Sequence, residues 1–336
     1  MNQPPCQIHP TRTDGRQGAK TAARRFLHFW NPMKSGKTHA LRTRVYVDGY
    51  NFYYGCLEKS AHKWLDLRAL AERILANVPH GRDGEPAAYE LVTPAVKYFT
   101  APILRAFAKS DDSIVCQNYY HDALVGHLGD EIQLIRGHYD ARPSRAYRWE
   151  SDKPPRECDR VEIWKVEEKR SDVALALHTY SDAIRNEVDQ IVVLTNDSDF
   201  EPAMRMIRQH TPTIIGLVAP IKPERANVNA KLQMQAHWIR RHILDDEIAR
   251  SQLPSVVPRP QGAVHKPLSW YRRPDLLIPI FDEAKRVRRS AGAARKWLNQ
   301  PCAHLGNRLP IAMCEQDDTA QELREYMARY AEEFRV

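Results

Sequence analysis

Two observations predict an α/β fold: a mostly parallel central sheet with helices on both faces, plus a small helical C-terminal extension. From residue 45 onward, short β-branched runs alternate with amphipathic stretches, the order that lays helices over a parallel sheet. The runs "IVVL" at 191–194 and "TIIGLV" at 213–218 are apolar and bounded by turn residues, as strands covered on both faces are. With 336 residues and 43% apolar content, the chain can build one domain of roughly 200 residues and something smaller.

Residues 1–42 are polar and basic without hydrophobic period, so they are expected to be disordered. "SGKTH" at 35–39 has the ending of a phosphate-binding loop, but Asn31 stands where its first glycine belongs and no strand precedes it. "RVYV" (44–47) reads as the first strand, ending at Asp48. "WLDLRALAERILANV" (64–78) places Leu67, Leu70, Ile74 and Leu75 near one helical face, and "AVKYFTA" (95–101) reads as the next strand. "HDALVGHLGDEIQLI" (121–135) reads as a glycine-interrupted helix, and "GHYDARPSRAYRW" (137–149) matches no element. "SDVALALHTYSDAIRNE" (171–187) carries Val173, Leu177, Tyr180 and Ile184 at i, i+4, i+7 and i+11, with Ser171 as N-cap. The main domain is expected over 43–248, a proline-rich linker over 249–268, and a helical extension over 269–336. That extension holds a basic helix candidate, "PIFDEAKRVRRSAGAARKWL" (279–298), and an acidic one, "TAQELREYMARYAEEF" (319–334).

No stretch approaches the roughly 18 apolar residues a membrane span needs. The six cysteines form no C-x-x-C pair, which argues against a disulfide framework and a zinc ribbon and for free thiols in a reducing cytoplasm. Of the net charge of +8, the basic excess lies in the flanks, 1–44 and 256–310, while 45–255 is slightly acidic. Basic arms around an acidic centre suit a nucleic-acid partner and a cation-binding site.

Three acidic features share one place in such a fold. Asp48 follows the first strand, Asp197 and Asp199 follow "IVVL", and Asp172 opens a helix. In an open parallel sheet, ligands bind outside the carboxyl ends of the strands where strand order reverses. Each residue also has an ordinary reading. Asp197 or Asp199 could cap a helix, Asp172 could offset a helix dipole, and Asp48 could make an Asx-turn. Several carboxylates held together raise one another's pKa unless a cation joins them. Hard oxygen ligands of this kind suit Mg²⁺ or Mn²⁺.

"VYVDGYNFYYG" (45–55), "EEKRSDVALALHTYSDA" (167–183) and "QIVVLTNDSDFEPAMRMIRQHTPTIIGLV" (190–218) resemble, in order and spacing, the NYN domain of the PIN-like nuclease superfamily. "NAKLQMQAHWI" (229–239) looks like that domain's usual last helix. The resemblance implies a PIN-like three-layer fold and a Mg²⁺- or Mn²⁺-dependent ribonuclease. It places metal-binding and catalytic roles on Asp48, Asp172, Asp197 and Asp199, and substrate contacts on Asn51, Thr195 and Asn196. Lys169 and Arg170 precede the helix acid; Arg170 departs from the glycine common there and adds charge that could favour phosphate. The charged stretch 140–160 maps onto no part of the family pattern and is either a substrate-facing loop or a solvated surface.

The leading expectation is an endoribonuclease acting on single-stranded or structured RNA, cytoplasmic, without a membrane partner, and open to homo-oligomerisation. The alternative is a non-catalytic RNA-binding or assembly protein that retains the fold. A metal-dependent phosphatase of small substrates fits less well, because its nucleophilic aspartate sits in a different motif.

Overall fold

The computed structural model describes residues 39–225 and 227–333. Residues 1–38 of the leader expected over 1–42, and with them most of the "SGKTH" motif, therefore lie outside the described residues, while Leu41 and Arg42 already belong to the first strand because they pair with Tyr89 and Glu90 of the second. The strands in chain order are β1 (Leu41–Asp48), β2 (Tyr89–Thr100), β3 (Ile132–Arg136), β4 (His138–Tyr147), β5 (Arg160–Lys169), β6 (Gln190–Leu194), β7 (Ile214–Val218) and β8 (Trp238–Arg240), with a short β9–β10 pair at Val256–Val257 and Val264–His265. Six of them form one all-parallel sheet in the order β3-β2-β1-β6-β7-β8.

The larger helices are α1 (Gly49–Phe52), α2 (Leu67–Leu75), α3 (Asp111–Leu128), α4 (Ser171–Ile184), α5 (Glu201–His210) and α6 (Ala230–Gln235), followed by α7 (Asp245–Ala249). They cover both faces of the sheet because its central strands are apolar on both. Along β1, Val45 and Val47 pack into one layer with Leu70, Ile74 and Leu124, while Tyr46 enters the other with Leu175, Met204 and Ile207. Along β6, Val192 and Leu194 join the first layer and Ile191 and Val193 the second, the two-residue alternation of an extended chain. Every residue of β6 and β7 is buried, as the two apolar runs predict.

Several segments differ from expectation, each for a local reason. "IQLI" is not helical: Gly129 takes φ +57° and ψ −124° at the end of α3, and after a short 3-10 turn the chain enters β3, paired with Val96–Thr100 of β2. "NAKLQMQAHWI" divides into α6 and the edge strand β8, because Ala236 is extended. The unassigned stretch is β4, antiparallel to β5 in register from His138↔Lys169 to Tyr147↔Arg160. This two-stranded arm is mostly exposed, and Arg160 covers the Tyr147 ring at 4.6 Å while its Nη2 donates to the Tyr147 hydroxyl at 2.7 Å. A ribbon wetted on both faces lacks the alternation that marks a half-buried strand.

Helix α4 presents a different face from the one its stripe predicts. Leu175, Thr179, Asp182 and Ala183 are buried, while Val173 and Leu177 are 64% and 62% exposed. Ser171 is the first helical residue rather than the cap; Arg170 holds that position with a left-handed φ of 84°.

In residues 249–268, Leu253, Val257 and Val264 are buried in the same cluster as α2 and α3. Beyond them, α8 (Pro274–Arg288), α9 (Ala291–Leu298), α10 (Pro310–Met313) and α11 (Asp317–Glu333) close around Leu277, Ile280, Leu298 and Leu323. The basic stretch expected as one helix is two: Arg289 adopts φ +57° and Ser290 caps α9 by accepting from the Ala293 amide. Among the described residues the cysteines are free, and no helix is long and apolar enough to cross a membrane.

Candidate carboxylate groove

Strand order reverses between β1 and β6: β2 and β3 extend the sheet on one side, β7 and β8 on the other. The crevice outside the carboxyl ends of these two strands is where an open parallel sheet binds its ligand. A groove of about 540 Å³ lies here, and Asp48, Asn51, Glu168, Asp172, Asn196 and Asp197 line it.

Asp48 is the last residue of β1. Its Oδ1 accepts from the Asn51 amide at 3.1 Å, capping α1, and its Oδ2 accepts from the Thr195 hydroxyl at 2.9 Å. The chain must turn hard after it. A Cβ on Gly49 would stand 2.5 Å from the Phe99 carbonyl oxygen and 2.8 Å from the Tyr98 ring, so only glycine lets this turn lie against β2. Asn51 accepts from the Asn196 amide at 3.0 Å, tying the segment after β1 to that after β6. Asn196 is held in turn by the Asn229 amide, which donates to its Oδ1 at 2.8 Å. Asp197 Oδ1 accepts from the Asp199 amide at 3.0 Å. The turn role open to Asp48 in sequence and the capping role open to Asp197 are thus real, and they leave each carboxylate lining the groove with lone pairs to spare.

Asp172 enters from the first turn of α4. Glu168 enters from the root of the β4–β5 arm, where it pairs across the ladder with Tyr139. The Ser171 hydroxyl donates to Glu168 Oε1 at 2.7 Å, which explains why this serine does not cap its own helix. Gly137 permits the close approach, since a Cβ there would collide with Glu168, the Lys169 carbonyl and Ser171.

The carboxylates feel one another. Burial, followed by Asp48, Glu168, Asp197 and Asp199, pushes the Asp172 carboxyl up to about 6. Asp48 is also raised, chiefly by burial, although the hydrogen bonds from Asn51 and Thr195 oppose the shift. Two like charges 4 Å apart repel by about 4 kcal/mol at an effective dielectric of about 20. A net stability of roughly 5–15 kcal/mol absorbs little of that, so an arrangement of this kind calls for a proton or a cation.

Of the residues singled out by sequence, Asp48, Asn51, Asp172, Asn196 and Asp197 line the groove, and Thr195 supports Asp48 from beneath. Asp199 is exposed in the turn before α5 and stands outside the lining. Lys169 and Arg170 are exposed at the end of β5, with Lys169 Nζ donating to Glu167 at 2.8 Å. Glu168 and Tyr139 also line the groove, although no sequence motif points to either. Glu168 sits four residues before Asp172, but its arrival depends on an arm the sequence pattern does not reveal.

The donor set is all carboxylate oxygen, the chemistry a hard divalent ion prefers. Among the described residues, no three His, Cys, Asp or Glu side chains stand close enough to share one ion as placed. The donors therefore fit Mg²⁺ or Mn²⁺ in kind, and rotation of Asp172, Asp197 or Glu168 would be needed to gather them.

Comparison with known proteins adds three findings. The NYN domain family matches residues 42–240, and the antitoxin Xre/MbcA/ParS C-terminal toxin-binding domain family matches residues 281–332. The 6-hydroxy-3-succinoylpyridine 3-monooxygenase HspA of Pseudomonas putida is 43% identical over 296 residues, spanning 85% of this chain and 94% of its own. A solved structure of a Vibrio parahaemolyticus protein of unknown function aligns at a TM-score of 0.35 and 17% identity, over 63% of this chain and 98% of that one. That likeness is too weak to carry an argument.

Proposed function

Because this chain belongs to the NYN domain family, within the PIN-like nucleases, we propose that its carboxylate groove hydrolyses phosphodiester bonds of RNA with a divalent metal. The supporting observation is the convergence of Asp48, Asp172, Asp197 and Glu168 on one groove at the reversal of strand order. Asp48, Asp172 and Asp197 would hold the ion, with Glu168 beside them. When bound there, Mg²⁺ or Mn²⁺ supplies a Lewis acid and activates water for attack at phosphorus.

The chain's own residues do the rest. Thr195 and the Asn51 amide fix the Asp48 carboxylate. Asn51 and Asn196 lock the two strand-end turns together, keeping the acids from the separate turns at constant spacing. Glu168, which stands beside the three acids that would hold the ion, can accept a proton from the attacking water. Asp199 contributes charge rather than contact.

The test is cleavage of a fluorescent RNA by the full chain with Mg²⁺ or Mn²⁺, compared with Asp48→Asn and Asp172→Asn. Cleavage lost in both variants supports the reading; equal rates in wild type and variants, or no cleavage by wild type with either metal, sinks it.

A second reading has its own support: the Pseudomonas putida relative matches nearly end to end and is named as a monooxygenase of a hydroxylated pyridine. On this reading the chain hydroxylates a small aromatic acid, one oxygen atom of O₂ entering the ring and the other leaving as water with two electrons from an external reductant. Oxygen uptake that depends on both a hydroxypyridine acid and a reduced nicotinamide, with RNA left intact, would select it.

A further inference from the structure

Beside the groove lies a second cavity of about 410 Å³, within the size range of small-molecule sites. Its walls include Tyr53, Tyr98, Tyr120 and Trp270. Tyr50, Tyr54 and Tyr139 line both this cavity and the carboxylate groove, so the two spaces share a wall. That wall is preset by ring contacts: Tyr50 meets Tyr139 edge-on at 5.7 Å between centroids and lies near-parallel to Tyr54 at 6.1 Å. The Tyr50 hydroxyl is anchored by donating to the Ala101 carbonyl at 2.8 Å.

Three charged side chains line this cavity: Lys63, Lys109 and Asp112. Lys63 lines it half-buried, and no carboxylate among the described residues stands within ion-pair distance of its ammonium. By contrast, Lys109 is paired with Glu58 at 2.5 Å, and Asp112 is exposed to solvent and accepts from the Ser269 hydroxyl at 2.7 Å, so Lys63 is the half-buried charge of the lining. Burial lowers the Lys63 pKa, and burial, helped by Arg136, lowers that of His121 to about 4, leaving the ring neutral. A desolvated cation without a partner gains by receiving an anion. Tyrosine walls favour a planar ring, by stacking or edge contact.

We propose that this cavity binds a planar heteroaromatic ring bearing one anionic group, with the ring among the tyrosines and the anion on Lys63. Lys63 lines the cavity and not the groove, so the ring lies between its anion and the shared tyrosine wall that faces the carboxylates. Two sources carry this chemistry: a free heteroaromatic acid, and the base and phosphate of a nucleotide. The inference does not depend on which reaction the carboxylates perform.

The test is calorimetric titration of the full chain with 6-hydroxynicotinate in one arm and 5′-uridine monophosphate in the other. Saturable binding of either, weakened by about tenfold or more in Lys63→Met and retained in Lys63→Arg, is the expected result. The arm that binds more tightly identifies the source. Melting temperatures equal to wild type would show that Lys63→Met remains folded. Asp48→Asn should abolish RNA cleavage yet keep ligand binding, separating failure of this site from failure of the proposed hydrolysis. No saturable binding of either compound at millimolar concentration would overturn the proposal, as would binding that Lys63→Met leaves unchanged.

Discussion

The Thr195 hydroxyl, beyond the end of β6, donates to Oδ2 of Asp48, at the end of β1, across 2.9 Å and 147 residues of sequence. Both side chains are buried. A hydrogen bond to a charged group contributes roughly 1.5–3 kcal/mol, so this contact both joins the two central strands and keeps Asp48 more acidic than burial alone would allow. Thr195→Val should lower stability by about 1–3 kcal/mol and weaken Mn²⁺ binding, whereas Thr195→Ser should retain most of both. Denaturant melts and metal titration of the two variants measure the contrast.

Asp172 gives the groove a defined pH response. Its folded pKa of about 6 lies above the ordinary 3.8. Unfolding therefore releases its proton at intermediate pH, and its ionisation destabilises the metal-free fold as pH rises from about 4 through 6, with no further change above. Asp172→Asn removes that repulsion, so the metal-free variant should melt a few degrees above wild type at pH 7.5 and level with it at pH 4. Added Mn²⁺ should stabilise wild type more than the variant. At pH 5.5, metal binding to wild type should release protons, visible by calorimetry in buffers of different ionisation heat.

A second buried acid has a structural task. Asp182 Oδ2 accepts from Arg44 Nη1 at 2.8 Å, Lys97 Nζ at 2.6 Å and the Tyr46 hydroxyl at 2.6 Å. Burial opposes ionisation, but hydrogen bonds from Lys97, Tyr46 and Arg44 outweigh it and hold the carboxyl below its usual value. Its contribution is then fully present above pH 4 and is lost only as pH falls through that depressed value. Asp182→Ala strands the buried Lys97 ammonium and leaves Arg44 with Glu187 as its remaining acid, and should cost about 3–5 kcal/mol, read as an early denaturation midpoint. Addition of Mg²⁺ should not rescue it, because this acid lies outside the groove.

The two faces of α4 should respond in opposite ways. Leu175→Ala opens a hole in the core and should cost about 2–5 kcal/mol. Leu177→Gln, on the exposed stripe, should stay within about 0.5 kcal/mol of wild type. Equal losses in denaturant titrations would mean the stripe is covered, by another copy or another partner.

The division between sequence and tertiary structure follows the reach of each signal. The apolar runs within β1, β6 and β7 declare themselves locally, since a strand buried on both faces is mostly apolar and its few polar residues, such as Arg44 and Gln190, need buried hydrogen-bond partners. Asp48 and Asp197 are equally local, because a charge after such a run must lie where the strand leaves the core. The sequence therefore determined a parallel α/β sheet with acids at its strand ends. It could not determine the outward face of α4: Val173, Leu177 and Ile184 have helical spacing whichever way the helix rolls, and packing on β1 and β2 chose Leu175 instead. Nor could it bring Glu168 to the groove, because that depends on an arm held by cross-strand pairs rather than by a buried face. The tyrosine cavity gathers Tyr50, Tyr98, Tyr120, Tyr139 and Trp270 from five separate segments. Only the tertiary structure decides such a meeting, because strand neighbours and helix rotations are set by contacts between residues far apart in the chain.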